Sequence, residues 1–130
     1  MLPPPEEIKN RDVPVLSKLT DVYALWHQTL PTIPKTVRYS LAIKIDIQFT
    51  DLIELLLRAA YSPREQKLVF LKQASVKLDT IKFFLQVTWS IKALDNKELA
   101  SISQPLNEVG KSLGGWMHHL AKDVPIEGTS

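Results

Sequence analysis

The 130-residue chain has no cysteine, which excludes disulfides and thiolate metal sites and fits a reducing cytosol. No apolar run reaches the roughly 18 residues that a membrane-spanning helix needs, so no membrane contact is expected. Met1 to Asp12 carries Pro3, Pro4, Pro5, Glu6 and Glu7 in place of the basic and then apolar stretch of an export signal, and a cytoplasmic location is expected. Only four glycines and two methionines occur, with no low-complexity segment and no internal repeat. A P-loop, a dinucleotide fingerprint and Gly-x-Ser-x-Gly are all missing. What is present, 45% apolar and 23% charged residues, is ordinary for one globular domain.

Residues 37 to 49 place an apolar side chain at every second position from Val37 to Phe49. As a strand this ribbon exceeds the usual five or six residues, and nothing else in the chain alternates to pair with it. Wound as a helix, the same letters separate into two stripes, Val37, Leu41, Ile45, Phe49, Leu52 and Leu56 on one side and Tyr39, Ile43 and Ile47 roughly opposite. One stripe seals a core. The other must be covered by a further helix or a further molecule, because leaving a large apolar side chain wet costs about 1.5 to 3 kcal/mol. The helix reading therefore implies an oligomer with Tyr39, Ile43 and Ile47 at its interface.

The remaining periodicity gives three more helices. Asp12 before Val13 and Pro14 resembles an N-cap followed by an early proline, and Leu16, Leu19, Tyr23, Trp26 and Leu30 recur at helical spacing over about 14 to 30, up to Pro31 and Pro34. The second helix spans about 35 to 61. Ser62-Pro63-Arg64-Glu65 has the pattern of a capping box and opens a third helix with Leu71, Ala74, Leu78, Ile81 and Leu85 as its seam. Phe70, Phe83, Phe84, Val87, Trp89 and Ile91 make that helix apolar well beyond one stripe, so it too is expected to be covered on more than one side. Asp95-Asn96-Lys97-Glu98 is a second capping box, before Leu99, Ile102, Leu106, Val109, Leu113, Trp116 and Leu120, with Pro105 expected to kink or break this fourth helix. The expected fold is all-α, an up-down-up-down four-helix bundle over residues 13–121, with flexible tails at 1–12 and 122–130.

The net charge of +2 is small but uneven, since residues 64 to 92 hold Arg64, Lys67, Lys72, Lys77, Lys82 and Lys92 against Glu65 and Asp79. Five of these bases, all but Lys72, fall within an arc of about 140° on a helical projection. Such a face is either a solvated lysine-rich surface or a footprint for a polyanion.

Catalytic and metal chemistry find little to use. His118 and His119 are adjacent and point about 100° apart on a helix, and His27 stands alone, so no clasping pair for a metal exists. The Glu-x-x-His pairs of di-metal bundles are absent as well. No cofactor, no metal and no enzymatic activity are expected. Gly110, Gly114 and Gly115 need another explanation, because a glycine inside a helix costs up to about 1 kcal/mol relative to alanine. Either they admit a neighbouring helix beside Trp116, or Gly114 and Gly115 end the helix.

The tract Glu108-Val109-Gly110-Lys111-Ser112-Leu113-Gly114-Gly115-Trp116 resembles the end of the small four-helix bundle proteins of intervening sequences in bacterial 23S ribosomal RNA genes. The accessory variability proteins of diversity-generating retroelements belong to the same superfamily. Pro34-Lys35-Thr36-Val37-Arg38-Tyr39-Ser40-Leu41 is similar to the tract opening its second helix, and Leu78-Asp79-Thr80-Ile81-Lys82-Phe83-Phe84-Leu85 to that of its third, so the resemblance covers about residues 12 to 121. It implies a noncatalytic accessory protein that forms a homopentameric barrel and associates with a reverse transcriptase and with RNA or DNA. Arg38, Lys82 and Lys111 match basic positions of that pattern, whereas Gln86 stands where another base is more usual. Together with Arg64, Lys67 and Lys77 from the charge run, they form the candidate nucleic-acid-binding set. The alternative is an oligomeric scaffold of the intervening-sequence type without nucleic-acid binding.

Overall fold

A computed structural model describes residues 13–123 of the chain. Helix α1 (Val13–Thr29) leads through a 3-10 turn (Leu30–Thr32) to a one-turn helix α2 (Lys35–Arg38), followed by α3 (Leu41–Tyr61), α4 (Arg64–Ser90) and α5 (Asn96–Asp123). No strand occurs among the described residues. The four long helices pack in a closed cycle, α1 on α3, α3 on α4, α4 on α5 and α5 on α1, and the short links between them make consecutive long helices antiparallel. The Asp12 cap and the tail residues 1–12 and 124–130 lie outside the described residues, whereas Lys122 and Asp123, expected in the tail, still belong to α5.

The core follows the apolar period of each helix. Leu19, Val22 and Trp26 come from α1, Ile45, Phe49, Leu52 and Leu56 from α3, Leu71, Leu78, Ile81 and Leu85 from α4, and Ile102, Leu106, Val109, Leu113 and Leu120 from α5, all of them buried. Phe49 stacks on Trp26 with ring centroids 6.0 Å apart and takes the edge of Tyr23 at 5.8 Å. Beside these rings the Asp46 carboxylate accepts the Tyr23 hydroxyl at 2.8 Å and the Trp26 indole N–H at 3.3 Å, which joins α1 to α3 and satisfies the buried end of Trp26.

The second helix is not continuous over 35 to 61. It breaks at Tyr39 and Ser40, with Ser40 at φ −130° and ψ −93°. Local hydrogen bonds stabilise the break. The Ser40 hydroxyl donates to the Thr36 carbonyl at 2.7 Å, and the Arg38 guanidinium turns back onto the carbonyls of Ile33 (2.9 Å) and Pro31 (3.1 Å). The break restarts α3 with Ala42 and Ile45 facing the core, so Val37 and Leu41 of the expected stripe end up half-buried.

The ends of the other helices divide similarly. The expected box at Ser62 does not form: Pro63 occupies the N-cap position of α4 without a side-chain cap, and the Ser62 hydroxyl donates to the Arg58 carbonyl at 2.6 Å. The box at Asp95 does form, with the Glu98 amide donating to Asp95 Oδ1 at 2.7 Å and the Asp95 amide to Glu98 Oε1 at 3.0 Å. Helix α5 passes through Pro105 without breaking. Between α4 and α5, Lys92 takes φ 65° and the Ala93 amide donates back to the Thr88 carbonyl at 2.9 Å, a Schellman-type end in which lysine sits where glycine is preferred.

Burial, together with the Asp46 carboxylate as hydrogen-bond acceptor and negative neighbour, pushes the Tyr23 hydroxyl above its ordinary value near 10. The protonated phenol is the stabilised form, so its contribution is complete below that ordinary value and is lost as pH rises through the raised folded one. Tyr23→Phe is expected to lower stability by about 1.5 kcal/mol at neutral pH. Urea unfolding should show the gap between wild type and variant narrowing above about pH 10, and a gap unchanged in alkali would contradict the assignment.

Candidate functional site

The six candidate cations end up in different environments. Lys67 is buried, and its ammonium donates to the carbonyls of Ala59 (2.8 Å) and Ala60 (3.0 Å) at the end of α3. It completes that helix terminus and leaves the solvent-facing set. Arg38 closes the link between α1 and α3 through its carbonyl contacts, although its charge stays near the surface. Lys77, half-buried, lies 3.5 Å from the half-buried Asp51, and Lys111 3.4 Å from Glu108 in an exposed pair, both loose contacts of small energetic weight. Arg64 is half-buried in the first turn of α4. Lys92, counted in the same arc, lies beyond the helix. The stripe drawn on a helical wheel is therefore not one basic face.

Two candidates do converge. A groove of about 900 Å³ between α4 and α5 has Lys82 on one wall and Lys111 on the other, with Asp79 and Glu108 beside them. Gly110 lines it as well, and a Cβ there would meet Leu78 Cδ2 at 3.3 Å and Lys82 Nζ at 3.4 Å, so a side chain at this position would be crowded against α4. Gly114 and Gly115 do not behave that way. A Cβ at either would meet nothing within 4 Å, and both stand exposed on a helix that continues to Asp123, so among the described residues they neither admit a neighbour nor end the helix. Trp116 is buried beside them, its indole N–H without a hydrogen-bond acceptor among the described residues.

The apolar surface is more distinctive than the basic one. Tyr39, Ile43 and Ile47 are 68%, 47% and 50% exposed, but Tyr39 sits on the break before α3 while Ile43 and Ile47 project from α3 itself. Helix α4 adds Val69, Val76 and Phe83, exposed by 55%, 65% and 65%. Their seven-residue spacing puts them in one row roughly opposite the buried seam of α4. The sequence reading named Phe83 as part of an over-broad apolar helix and missed the row, whose signal was that spacing. The expected covering of α4 on a second side is not supplied by the described residues.

His118 and His119 are both exposed. No group of three or more metal-ligating side chains exists among the described residues, and none of their helices is long and apolar enough to cross a membrane.

The geometry defines a class before it defines a member: a small all-α bundle with buried seams, apolar rows left over on its outside, and shallow grooves. A family model described as bAvd-like matches residues 15–120, from the first buried turn of α1 to the last of α5. The chain belongs to this family of Avd-like accessory variability determinants. Among curated proteins no sequence matches it.

Two substitutions test this geometry. Lys67→Met should destabilise the fold by about 2 kcal/mol in urea unfolding, because the last carbonyls of α3 lose a charged donor, while leaving any polyanion affinity unchanged. Gly114→Ala should raise stability by up to about 1 kcal/mol through helix propensity, and Gly110→Ala should gain less because its Cβ is crowded.

Proposed function

We propose that the chain is a noncatalytic accessory protein of a diversity-generating retroelement. In this reading the bundle self-associates as a pentameric barrel in the cytoplasm, binds RNA or DNA through basic surface, and docks the element's reverse transcriptase. The observation that carries the reading is the bAvd-like match over 15–120, which spans all four long helices. The exposed apolar side chains support self-association: Ile43 and Ile47 on α3 and the row Val69, Val76 and Phe83 on α4 are surfaces that a monomer rarely leaves in water. Lys82, which makes no ion pair among the described residues, together with Lys111 and the half-buried Arg64, supports polyanion contact.

A second reading, the oligomeric scaffold without nucleic acid, is favoured by the commitment of Lys67 and Arg38 to backbone carbonyls and by the pairing of Lys77 with Asp51. The two readings share the assembly and differ in the polyanion. Sedimentation of Ile43→Asp should show a smaller particle that keeps its helical circular dichroism, and a monomeric wild type would remove the self-association. In filter binding the logarithm of affinity for duplex DNA should fall by about 0.9 per neutralised phosphate with each log unit of salt. The double variant Lys82→Glu, Lys111→Glu should flatten that slope by about two while sparing the assembly. Wild-type protein that retains no RNA or DNA at low salt and captures no reverse transcriptase would leave the scaffold.

A further inference from the structure

One end of the bundle gathers what the α4 stripe lacks. The Thr32 hydroxyl donates to Glu98 Oε2 at 2.6 Å, so the link between α1 and α3 lies against the start of α5, and residues 30–40 and 89–98 share that end. Lys35, Arg38, Lys92 and Lys97 stand there against Asp95 and Glu98, a surplus of +2 that equals the formal charge of the whole chain. Both carboxylates are turned onto the α5 terminus through the capping box, and neither forms an ion pair with these bases. Lys35, Lys92 and Lys97 are exposed and make no ion pair among the described residues.

The same end carries exposed aromatic rings. Tyr39 is on the α2 side, and Trp89, 41% exposed, is on the α4 side. Trp89 is held in place, since its indole N–H donates to Asn96 Oδ1 at 2.6 Å across the corner that Lys92 bends at φ 65°. The other two tryptophans, Trp26 and Trp116, are buried. A wet, fixed indole beside unpaired lysines is costly to no element of the core and useful to none.

We propose that this end is a stacking platform for single-stranded nucleic acid, an unpaired base lying on the face of Trp89 and flanking phosphates meeting Lys92 and Lys97. The inference rests on the nucleic-acid reading above and gives it a place and a ligand form. A ring already held by Asn96 loses little freedom when a base stacks on it. Any base offers a π-face, so binding tolerates sequence, whereas a duplex keeps its bases inside and reaches only the lysines. No 2′-hydroxyl contact is involved, so RNA and DNA single strands should bind alike.

The test uses the full-length protein with oligo(U), oligo(dT) and a duplex, each of about ten nucleotides. Both single strands should quench tryptophan emission, since Trp89 is the exposed tryptophan, and should bind more tightly than the duplex. Trp89→Ala should weaken single-strand binding roughly tenfold or more, with a smaller effect on the duplex, and Trp89→Phe should keep most of the affinity. Circular dichroism checks that the variants stay helical, and the wild-type quenching together with Trp89→Phe decides the matter if Trp89→Ala does not fold. Lys92→Asn with Lys97→Gln should lower the salt slope. Single strands that bind without quenching and with equal affinity to Trp89→Ala overturn the platform and leave the nucleic-acid reading standing. Absence of any binding at low salt overturns both.

Discussion

A helix in a four-helix bundle can hide only the arc that faces its neighbours, and nearly everything distinctive about this protein follows from α3 and α4 having more apolar surface than that arc can hold. Their inner seams, Ile45 to Leu56 and Leu71 to Leu85, are fully used. Burial of such side chains, at about 1.5 to 3 kcal/mol each, is what orders α1 and α5 around them. The surplus, Ile43, Ile47, Val69, Val76 and Phe83, lies on the opposite sides of the same two helices. No rotation of either helix could bury one row without exposing the other, so the surplus is built into the fold and is left uncovered by the described residues.

Charge is distributed by a different logic. A buried carbonyl at a helix terminus needs a donor, and long basic side chains can reach one from a neighbouring element. Lys67 does this for the end of α3, and Arg38 for the link that precedes it. A helical wheel assigns Lys67 to a surface face, and the family resemblance makes Arg38 a candidate contact, yet both are turned onto backbone carbonyls. With these two committed, Lys82 stands in the α4–α5 groove, and Lys35, Lys92 and Lys97 stand at the end of the bundle where the two links meet, all four without an ion pair among the described residues. The bases of the groove are balanced by Asp79 and Glu108, so the positive surplus lies at the end of the bundle rather than along a continuous stripe.

The corners of the bundle are the least regular and the most exposed parts of the fold. Ser40 leaves helical geometry between two helices, and Lys92 adopts a left-handed conformation between α4 and α5. Each irregularity is secured by hydrogen bonds to nearby groups and brings an aromatic side chain, Tyr39 or Trp89, to the surface close by. The helices provide the rigid frame and the links carry the varied chemistry, which is the usual division of labour in a bundle.

The four long helices, most of their seam residues and the absence of a strand among the described residues were readable from the chain alone because apolar periodicity is a local property, and the Asp95 to Glu98 cap was readable because both partners lie within one turn. The resemblance carried by the Gly110 to Trp116 tract likewise depended only on letters in order. The break at Ser40, the missing cap at Ser62 and the unbroken passage through Pro105 were not readable, since each is a competition between local hydrogen bonds and the alignment of a whole helix on its neighbours. The same holds for the candidate site. Which lysines face water, which glycine is crowded and which links meet at one end depend on pairs such as Lys67 with Ala59 and Thr32 with Glu98, and only the tertiary structure brings such separated residues into contact.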